Sequence, residues 1–256
     1  MDWYLNILMF VTIGAAIGFV GAIVGIGGGL IAIPMLALVF SMPQQLSQGT
    51  ALLMIASNVV LTLRNYHKRS PIDFKSVSIG VAANVVATHL AALVAQDMSP
   101  VLLRNLFAAF LASVATFYIW QTLRKGRAPA VADAPVKRHV GFRQYVMMGM
   151  LSGAIGGLFG VGGSLILVPT MTVFYGLRQT AAQAMALSMI LPGTLVALIT
   201  YSWHGNTDWT VGIALSVGGM LMIRQGVRLA FYLPERTLRL LFAAVLYLTV
   251  ALLVLK

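Results

Sequence analysis

Two glycine-rich stretches carry the residue types from which this chain could build a binding site. The first reads GIGGGLIAIP from Gly25 and the second reads GVGGSLILVP from Gly160, each inside an apolar run. Glycine permits positive φ angles and lets a ligand approach the backbone closely. A helix that begins after such a turn presents unpaired N–H groups with a partial positive charge. Both turns therefore have the chemistry of an anion site.

We assign the substrate contacts to these turns and to polar side chains in the helices that follow. A glutamine amide or a hydroxyl could donate to an anion, but helix–helix hydrogen bonding is the competing role. Close helix packing is the alternative for the glycines, since they recur at G-x-x-x-G spacing. The candidate substrate contacts are Gly25, Gly27, Gly28, Gly29, Gln48, Thr50, Gly160, Gly162, Gly163, Ser164, Gln183 and Ser188.

The energy of burying an anion limits what such a site could hold. Stripping an isolated ion of water costs tens of kcal/mol, whereas a helix N-terminus contributes about 0.3–2 kcal/mol. Charge-assisted hydrogen bonds of about 1.5–3 kcal/mol each must supply much of the difference. A compact tetrahedral or pyramidal oxyanion can accept several such bonds, so we expect it rather than a large apolar ligand.

Five further polar residues are candidates for the pathway or for coupling. Asn58 and Asn84 lie in the middle of apolar segments, where a polar group is usually functional or bonds a neighbouring helix. His89 could carry a proton, because histidine titrates near neutral pH, or bond a neighbouring carbonyl. Arg104 and Arg239 could attract anions to the two mouths of a pathway or anchor their helices at the interface.

Several other chemistries are excluded by pattern. A dinucleotide-binding loop requires glycine where Leu30 and Leu165 stand, and no Lys-Ser/Thr follows for a P-loop. The chain has no cysteine, no H-E-x-x-H and no paired aspartates within an apolar run. We therefore predict no enzymatic activity, no metal and no cofactor, and we expect ion or substrate gradients to drive any transport.

Composition predicts an all-α polytopic membrane protein. Of 256 residues, 59% are hydrophobic and 9% are charged, and apolar runs of about twenty residues match a hydrocarbon core of roughly 30 Å. The net charge of +11 lies in the joints between apolar runs, without a basic face interleaved with aromatics. We therefore read it as orienting the chain in a lipid bilayer and not as binding nucleic acid. Whether the chain forms a homo-oligomer is left open.

A shift of 135 residues aligns the two halves of the chain. Gly25, Pro34 and Gln48 then fall on Gly160, Pro169 and Gln183. Each half has five apolar segments, at 4–24, 28–41, 44–63, 74–95 and 101–121, then at 144–159, 163–176, 179–200, 209–230 and 237–255. We predict a first transmembrane repeat over 1–122, a basic cytoplasmic linker over 123–143 and a second repeat over 144–256.

An odd number of segments predicts that the second repeat is inverted, with broken helices at the glycine turns. With the linker in the cytoplasm, fifteen of the 17 Lys and Arg residues lie inside and two, Arg104 and Lys256, lie outside. That distribution follows the positive-inside rule. It also predicts that both termini lie on the non-cytoplasmic side. Asp73 and Asp208, which precede apolar runs, are predicted to cap the helices that follow.

The chain resembles the sulfite exporter TauE/SafE family, within the toluene-sulfonate uptake permease superfamily. The resemblance covers nearly the whole chain and rests on the paired G-x-G-G-[GS]-x-x-x-x-P turns, "QGTALLMIAS" from Gln48, and the joints "NYHKRSPID" and "YSWHGNTD". One departure is Met185, which stands where the first half has Thr50. The two halves therefore cannot offer identical side chains to a ligand.

The resemblance implies transport of small sulfur oxyanions, such as sulfite or organosulfonates, across the bacterial inner membrane. Export is favoured because a negative interior contributes about 2.3 kcal/mol per charge per 100 mV to anion exit. Import would require coupling to protons or sodium. An anion channel, and a proton-coupled importer of sulfonates or other small organic anions, remain alternatives.

Overall fold

The structure is a computed structural model that describes residues 2–25, 27–67, 74–124 and 141–254, and these residues form ten α-helices. The first half contains α1 Asp2–Val24, α2 Gly29–Val39, α3 Gln44–His67, α4 Phe74–Asp97 and α5 Pro100–Arg124. The second half contains α6 Phe142–Phe159, α7 Ser164–Phe174, α8 Gln179–Trp203, α9 Trp209–Tyr232 and α10 Glu235–Val254.

Each predicted apolar segment coincides with one helix, so the predicted all-α membrane fold is confirmed. Six of the described helices are long and apolar enough to cross a membrane: α1, α3, α4, α5, α8 and α9. By contrast, α2 and α7 have 11 residues each, about 16 Å at 1.5 Å per residue. That is roughly half of the hydrocarbon thickness, so a helix of this length must start or stop inside the membrane.

The glycine turns determine where the short helices begin. Gly28 and Gly163 are the N-cap residues of α2 and α7, with φ of 93° and 74°. These left-handed conformations favour glycine, because a Cβ would clash with the backbone. Neither N-cap position supplies a side-chain hydrogen bond. The first N–H groups of both helices therefore depend on other partners.

A proline inside each short helix leaves a backbone carbonyl oxygen without its usual N–H partner. Pro34 has no N–H to donate to Leu30 O, four residues earlier. Thr249 of α10 lies against this position, with its Oγ1 3.2 Å from Leu30 O. The same hydroxyl lies 2.8 Å from Val245 O in its own helix, so the carbonyl oxygen that the proline leaves unpaired shares this donor from the other half of the chain.

Helix α1 packs along α9, and α6 packs along α4, through glycines that bring the backbones together. A Cβ at Gly14 would clash with Leu215 O, and one at Gly149 would clash with Gly80 O. Gly14 and Gly149 are 135 residues apart, and so are Gly80 and Leu215. The same contact is therefore made twice, each time between the two halves.

The core lies around α3 and α8, which contact one another, and between α5 and α10. Phe107 of α5 and Phe242 of α10 are fully buried and are also 135 residues apart. The halves thus interlock along their whole length and do not form two separate bundles.

We predict that Gly14→Ala and Gly149→Ala destabilise the protein to a similar extent, because each methyl group must push two helices apart. Overpacking of this kind costs about 1–3 kcal/mol, and about 1 kcal/mol lowers the Tm of a chain of this size by roughly 2–4 °C. Thermal unfolding of the detergent-purified protein measures the change.

Gly141→Ala is the control for this experiment, because the nearest atom to the added Cβ, Gln144 Oε1, lies 3.7 Å away and φ is −73°. Unchanged melting temperatures for both packing variants would contradict the close approach of these helices.

Candidate functional site

The two glycine turns lie against each other in the middle of the protein. A Cβ added at Gly29 would lie 3.8 Å from Gly160 O, so the start of α2 faces the end of α6. The Ile55 side chain lies between the turns, since a Cβ at Gly27 or at Gly162 would meet its Cγ2 atom at 3.1 and 3.8 Å. The two turns are therefore adjacent in the fold.

Two tyrosine–glutamine hydrogen bonds join the two halves of the chain beside the turns. Tyr66 Oη donates to Gln183 Oε1 at 2.8 Å, and Tyr201 Oη donates to Gln48 Oε1 at 2.8 Å. All four side chains are fully buried. Each tyrosine also approaches a carbonyl oxygen at the end of its own half's first helix, Ala22 O at 3.2 Å or Gly157 O at 3.1 Å.

The two glutamines differ in their amide nitrogens. Gln183 Nε2 donates to Val24 O at 2.6 Å, in the residue just before the first turn. Gln48 packs against Gly160 in the second turn, yet its Nε2 has no hydrogen-bond partner among the described residues. A buried donor without a partner costs about 1–3 kcal/mol, so this one is a candidate ligand-binding group.

Ser164 is a second unpartnered polar group at the same turn. It is the first residue of α7 and is fully buried, and its Oγ has no hydrogen-bond partner among the described residues. The equivalent residue in the first half is Gly29, which has no side chain to offer. Both unpartnered side-chain donors thus flank the 160–163 turn.

Asn58 and Asn84 both belong to the first half, and each packs against the second-half residue equivalent to the other. Asn58 packs against Gly219, which is the residue equivalent to Asn84, and Asn84 packs against Gly193, which is the residue equivalent to Asn58. Asn58 Nδ2 donates to Gly27 O at 3.3 Å, so this asparagine supports the first turn. The Oδ1 atoms of both asparagines have no partner among the described residues.

The predicted hydroxyl contacts have other partners in this structure. Thr50 Oγ1 accepts from Asp208 N at 2.9 Å, and Ser188 Oγ donates to Met185 O in its own helix at 2.7 Å. The predicted cap is confirmed at Asp208, whose Oδ1 accepts from Val211 N at 3.0 Å. Asp73 lies outside the described residues.

The predicted coupling residues His89 and Arg104 lie at or near the surface. His89 is exposed on α4, and its Nδ1 atom is 3.2 Å from Thr200 Oγ1. Arg104 is half-buried near the start of α5 and lines a surface cavity. Arg239 belongs to α10, but its side chain lies outside the described residues. Among the described residues, no group of three or more His, Asp or Glu side chains could hold a metal ion.

The site is closed in this conformation. The described residues of both turns are buried, as are Gln48, Gln183 and Ser164. Two cavities open at the surface, one along α6 and one beside Arg104, and neither is lined by a turn residue. A ligand therefore reaches the turns only after the helices around them move.

Sequence reasoning missed Ile55, Tyr66 and Tyr201 as parts of the site. The alignment of the halves already matched the two tyrosines, and a matched tyrosine within an apolar run signals a buried hydroxyl that needs a partner. Nothing in the sequence distinguished Ile55 from other apolar residues in α3.

We predict unequal stability effects for the two equivalent glutamines. Gln183→Met removes the donor to Val24 O, while Tyr66 keeps Ala22 O as an acceptor, so the variant should cost about 1–3 kcal/mol. Gln48→Met removes an unpartnered donor, and Tyr201 keeps Gly157 O as an acceptor, so stability should change little. Thermal unfolding in detergent compares the two, each serving as the other's control, and equal losses would show that Gln48 is as structural as Gln183.

Comparison with known proteins agrees with this architecture. The family model described as sulfite exporter TauE/SafE matches residues 10–253. A probable membrane transporter protein of Methanocaldococcus jannaschii is 21% identical over 262 residues, which cover 96% of this chain and 94% of that protein. One from Bacillus subtilis is 21% identical over 265 residues, covering 95% and 96%. One from Xylella fastidiosa is 25% identical over 221 residues, covering 83% and 81%.

No solved structure matches this chain. The family match spans nearly all of it, including both glycine turns and all the helices that surround them. The chain is therefore a multi-pass membrane transporter that belongs to the TauE/SafE sulfite exporter family.

Proposed function

We propose that this protein is a secondary carrier that exports small sulfur oxyanions, such as sulfite or organosulfonates, across the bacterial inner membrane. The observation that carries the proposal is the pair of buried, unpartnered groups at the second turn, Gln48 Nε2 and Ser164 Oγ. Both can donate to an anion. They stand beside two helix N-termini that have no side-chain caps.

The donors match a compact oxyanion in number and in kind. The first N–H groups of α2 and α7 supply a partial positive charge worth about 0.3–2 kcal/mol per helix. Each charge-assisted bond from the amide of Gln48 or the hydroxyl of Ser164 adds about 1.5–3 kcal/mol. Several oxygens on one small anion could accept from these groups together, and waters retained by the anion would complete its shell.

Inverted repeats over 1–122 and 144–256 would account for the reciprocal contacts between the halves. Exchanged pairs such as Tyr66–Gln183 and Tyr201–Gln48 are those that a two-fold axis would generate. With the linker 123–143 in the cytoplasm, that axis lies in the membrane plane and both termini lie outside. Substrate sites near the midplane, at interrupted helices, are a recurring feature of such transporters.

Opening to either side would involve Ile55 and the two tyrosine–glutamine bonds. The Ile55 side chain separates the turns in the closed conformation, so the anion would have to displace it. Each tyrosine–glutamine bond joins a helix of one half to the other half. Rocking of one half against the other would have to break or shift these bonds, and such rocking is how alternating access is achieved in inverted-repeat carriers.

Export follows from the membrane potential. A negative interior favours anion exit by about 2.3 kcal/mol per charge per 100 mV, so no coupling ion is required. His89 is exposed on α4, so we assign it no part in binding. Proton-coupled import of sulfonates would instead require a titrating group that responds to the bound anion.

We expect the purified protein in liposomes to release sulfite faster when the interior is made negative with a potassium gradient and valinomycin. Release should saturate with internal sulfite, because a carrier binds its substrate at each cycle. The measurement is the rate of sulfite appearance outside, with empty vesicles as the control. Release equal to that of empty vesicles would contradict transport, and release that does not saturate would indicate a channel.

We expect Gln48→Met and Ser164→Gly to lower sulfite efflux by at least about tenfold each, since 1.4 kcal/mol corresponds to a factor of ten. Ser164→Gly copies the residue that the first half has at Gly29, so the backbone there should tolerate it. Ser57→Ala is the control, because this α3 hydroxyl donates to Leu53 O in its own helix at 2.9 Å. Wild-type efflux in both test variants, at unchanged melting temperature, would contradict the site.

A further inference from the structure

A cavity of about 240 Å³ opens beside the start of α5, apart from the glycine turns. It is bounded by the end of α2, the start of α3 and the start of α5. Its lining includes Ser41, Gln44 and Arg104, and none of the residues that line it is acidic. The cavity therefore combines a cation with an amide and has no carboxylate to neutralise the cation.

Gln44 has a buried side chain with no partner. It is 3% exposed, and neither its Nε2 nor its Oε1 makes a hydrogen bond with any described residue. By comparison, the amide nitrogen of its neighbour Gln45 is hydrogen-bonded. Gln45 Nε2 donates to Met98 O at 2.7 Å and lies 3.4 Å from Ala95 O. Of these two glutamines, the one that borders the cavity is thus the one whose buried amide the protein leaves unsatisfied.

Arg104 supplies the charge at the cavity. It is half-buried, and no acidic residue lines the cavity with it. The N-terminus of α3 also lies at the cavity. A guanidinium has several donors in a planar fork that fits two oxygens of one oxyanion.

We propose that this cavity is a second oxyanion site, in which Arg104 and the Gln44 amide hold a sulfate- or phosphate-like group. Gln44 lies four residues before Gln48 in α3, so the two amides stand on the same helix face, one turn apart. Given the proposed function, on which this placement rests, the site lies at the mouth of the path to the glycine turns. Its ligand is either a free oxyanion or the phosphate of a lipid headgroup, which present the same chemistry.

The equivalent position in the second half differs in charge. Gln179 and Arg239 correspond to Gln44 and Arg104, but Glu235 stands where the first half has Pro100. An acidic residue in that position works against an anion, so the proposal is confined to the first half.

A single-cysteine variant tests the proposal, because the chain has no cysteine of its own. Ser41→Cys places one thiol on the cavity wall. Its labelling rate is measured in lipid-free neutral detergent with two methanethiosulfonate reagents, one carrying a sulfonate and one a trimethylammonium group.

We expect Arg104→Gln to lower the ratio of anionic to cationic labelling roughly tenfold, and Arg104→Lys to retain most of that ratio. The control is Arg228→Gln, at a position exposed on α9, which should leave the ratio unchanged.

Added ligands identify the source of the bound group. If millimolar inorganic sulfate slows labelling and Gln44→Leu weakens that protection, the ligand is a free oxyanion. If only added phosphatidylglycerol slows labelling, with the same dependence on Gln44, the ligand is a lipid headgroup. Protection by neither, or a labelling ratio that Arg104→Gln leaves unchanged, would overturn the proposal. Labelling measures no transport, so this outcome is independent of the proposed efflux.

Discussion

A helix that begins inside a bilayer leaves backbone N–H groups without partners, and lipid offers none. This constraint accounts for much of the arrangement around α2 and α7. Each short helix starts at a left-handed glycine. The glycines at these starts lie mainly against helices of their own half, while Gln183 and Gln48 of the opposite half lie against Gly25 and Gly160. The carbonyl groups at the turns are met by Gln183, by the two tyrosines and by Asn58. The unsatisfied side-chain groups beside the second turn, Gln48 Nε2 and Ser164 Oγ, are donors, which suits an anion.

The departures from equivalence between the halves are as informative as the equivalence itself. Packing contacts recur, as at Gly14 and Gly149, because both halves must bury the same kind of surface. The side chains at the turns do not recur. The amide nitrogen of Gln183 has a hydrogen-bond partner and that of Gln48 has none. Ser164 stands where the first half has Gly29. The structural contacts are present in both halves, while the two unpartnered donors at the turns, Gln48 Nε2 and Ser164 Oγ, both lie beside the second turn.

The helices could be predicted from the sequence because lipid imposes long apolar runs, and glycine and proline interrupt them. The adjacency of the two turns could not be predicted, since it depends on how α3 and α8 cross. Thr50 and Ser188 were credible ligands by position, but a hydroxyl's partner depends on its rotamer and on the joint beside it. The sequence does not distinguish Gln44 as a candidate ligand, because only the fold reveals that its amide has no partner.

The central claim is that both turns donate backbone N–H groups to one anion. Selective ¹⁵N-glycine labelling of the purified protein, followed by NMR during a sulfite titration, tests this most directly. The account predicts that amide signals of Gly29 and of the 160–163 turn shift together, with one concentration dependence. If neither signal moves while sulfite is transported, or if the two turns titrate at separate concentrations, the shared site is contradicted.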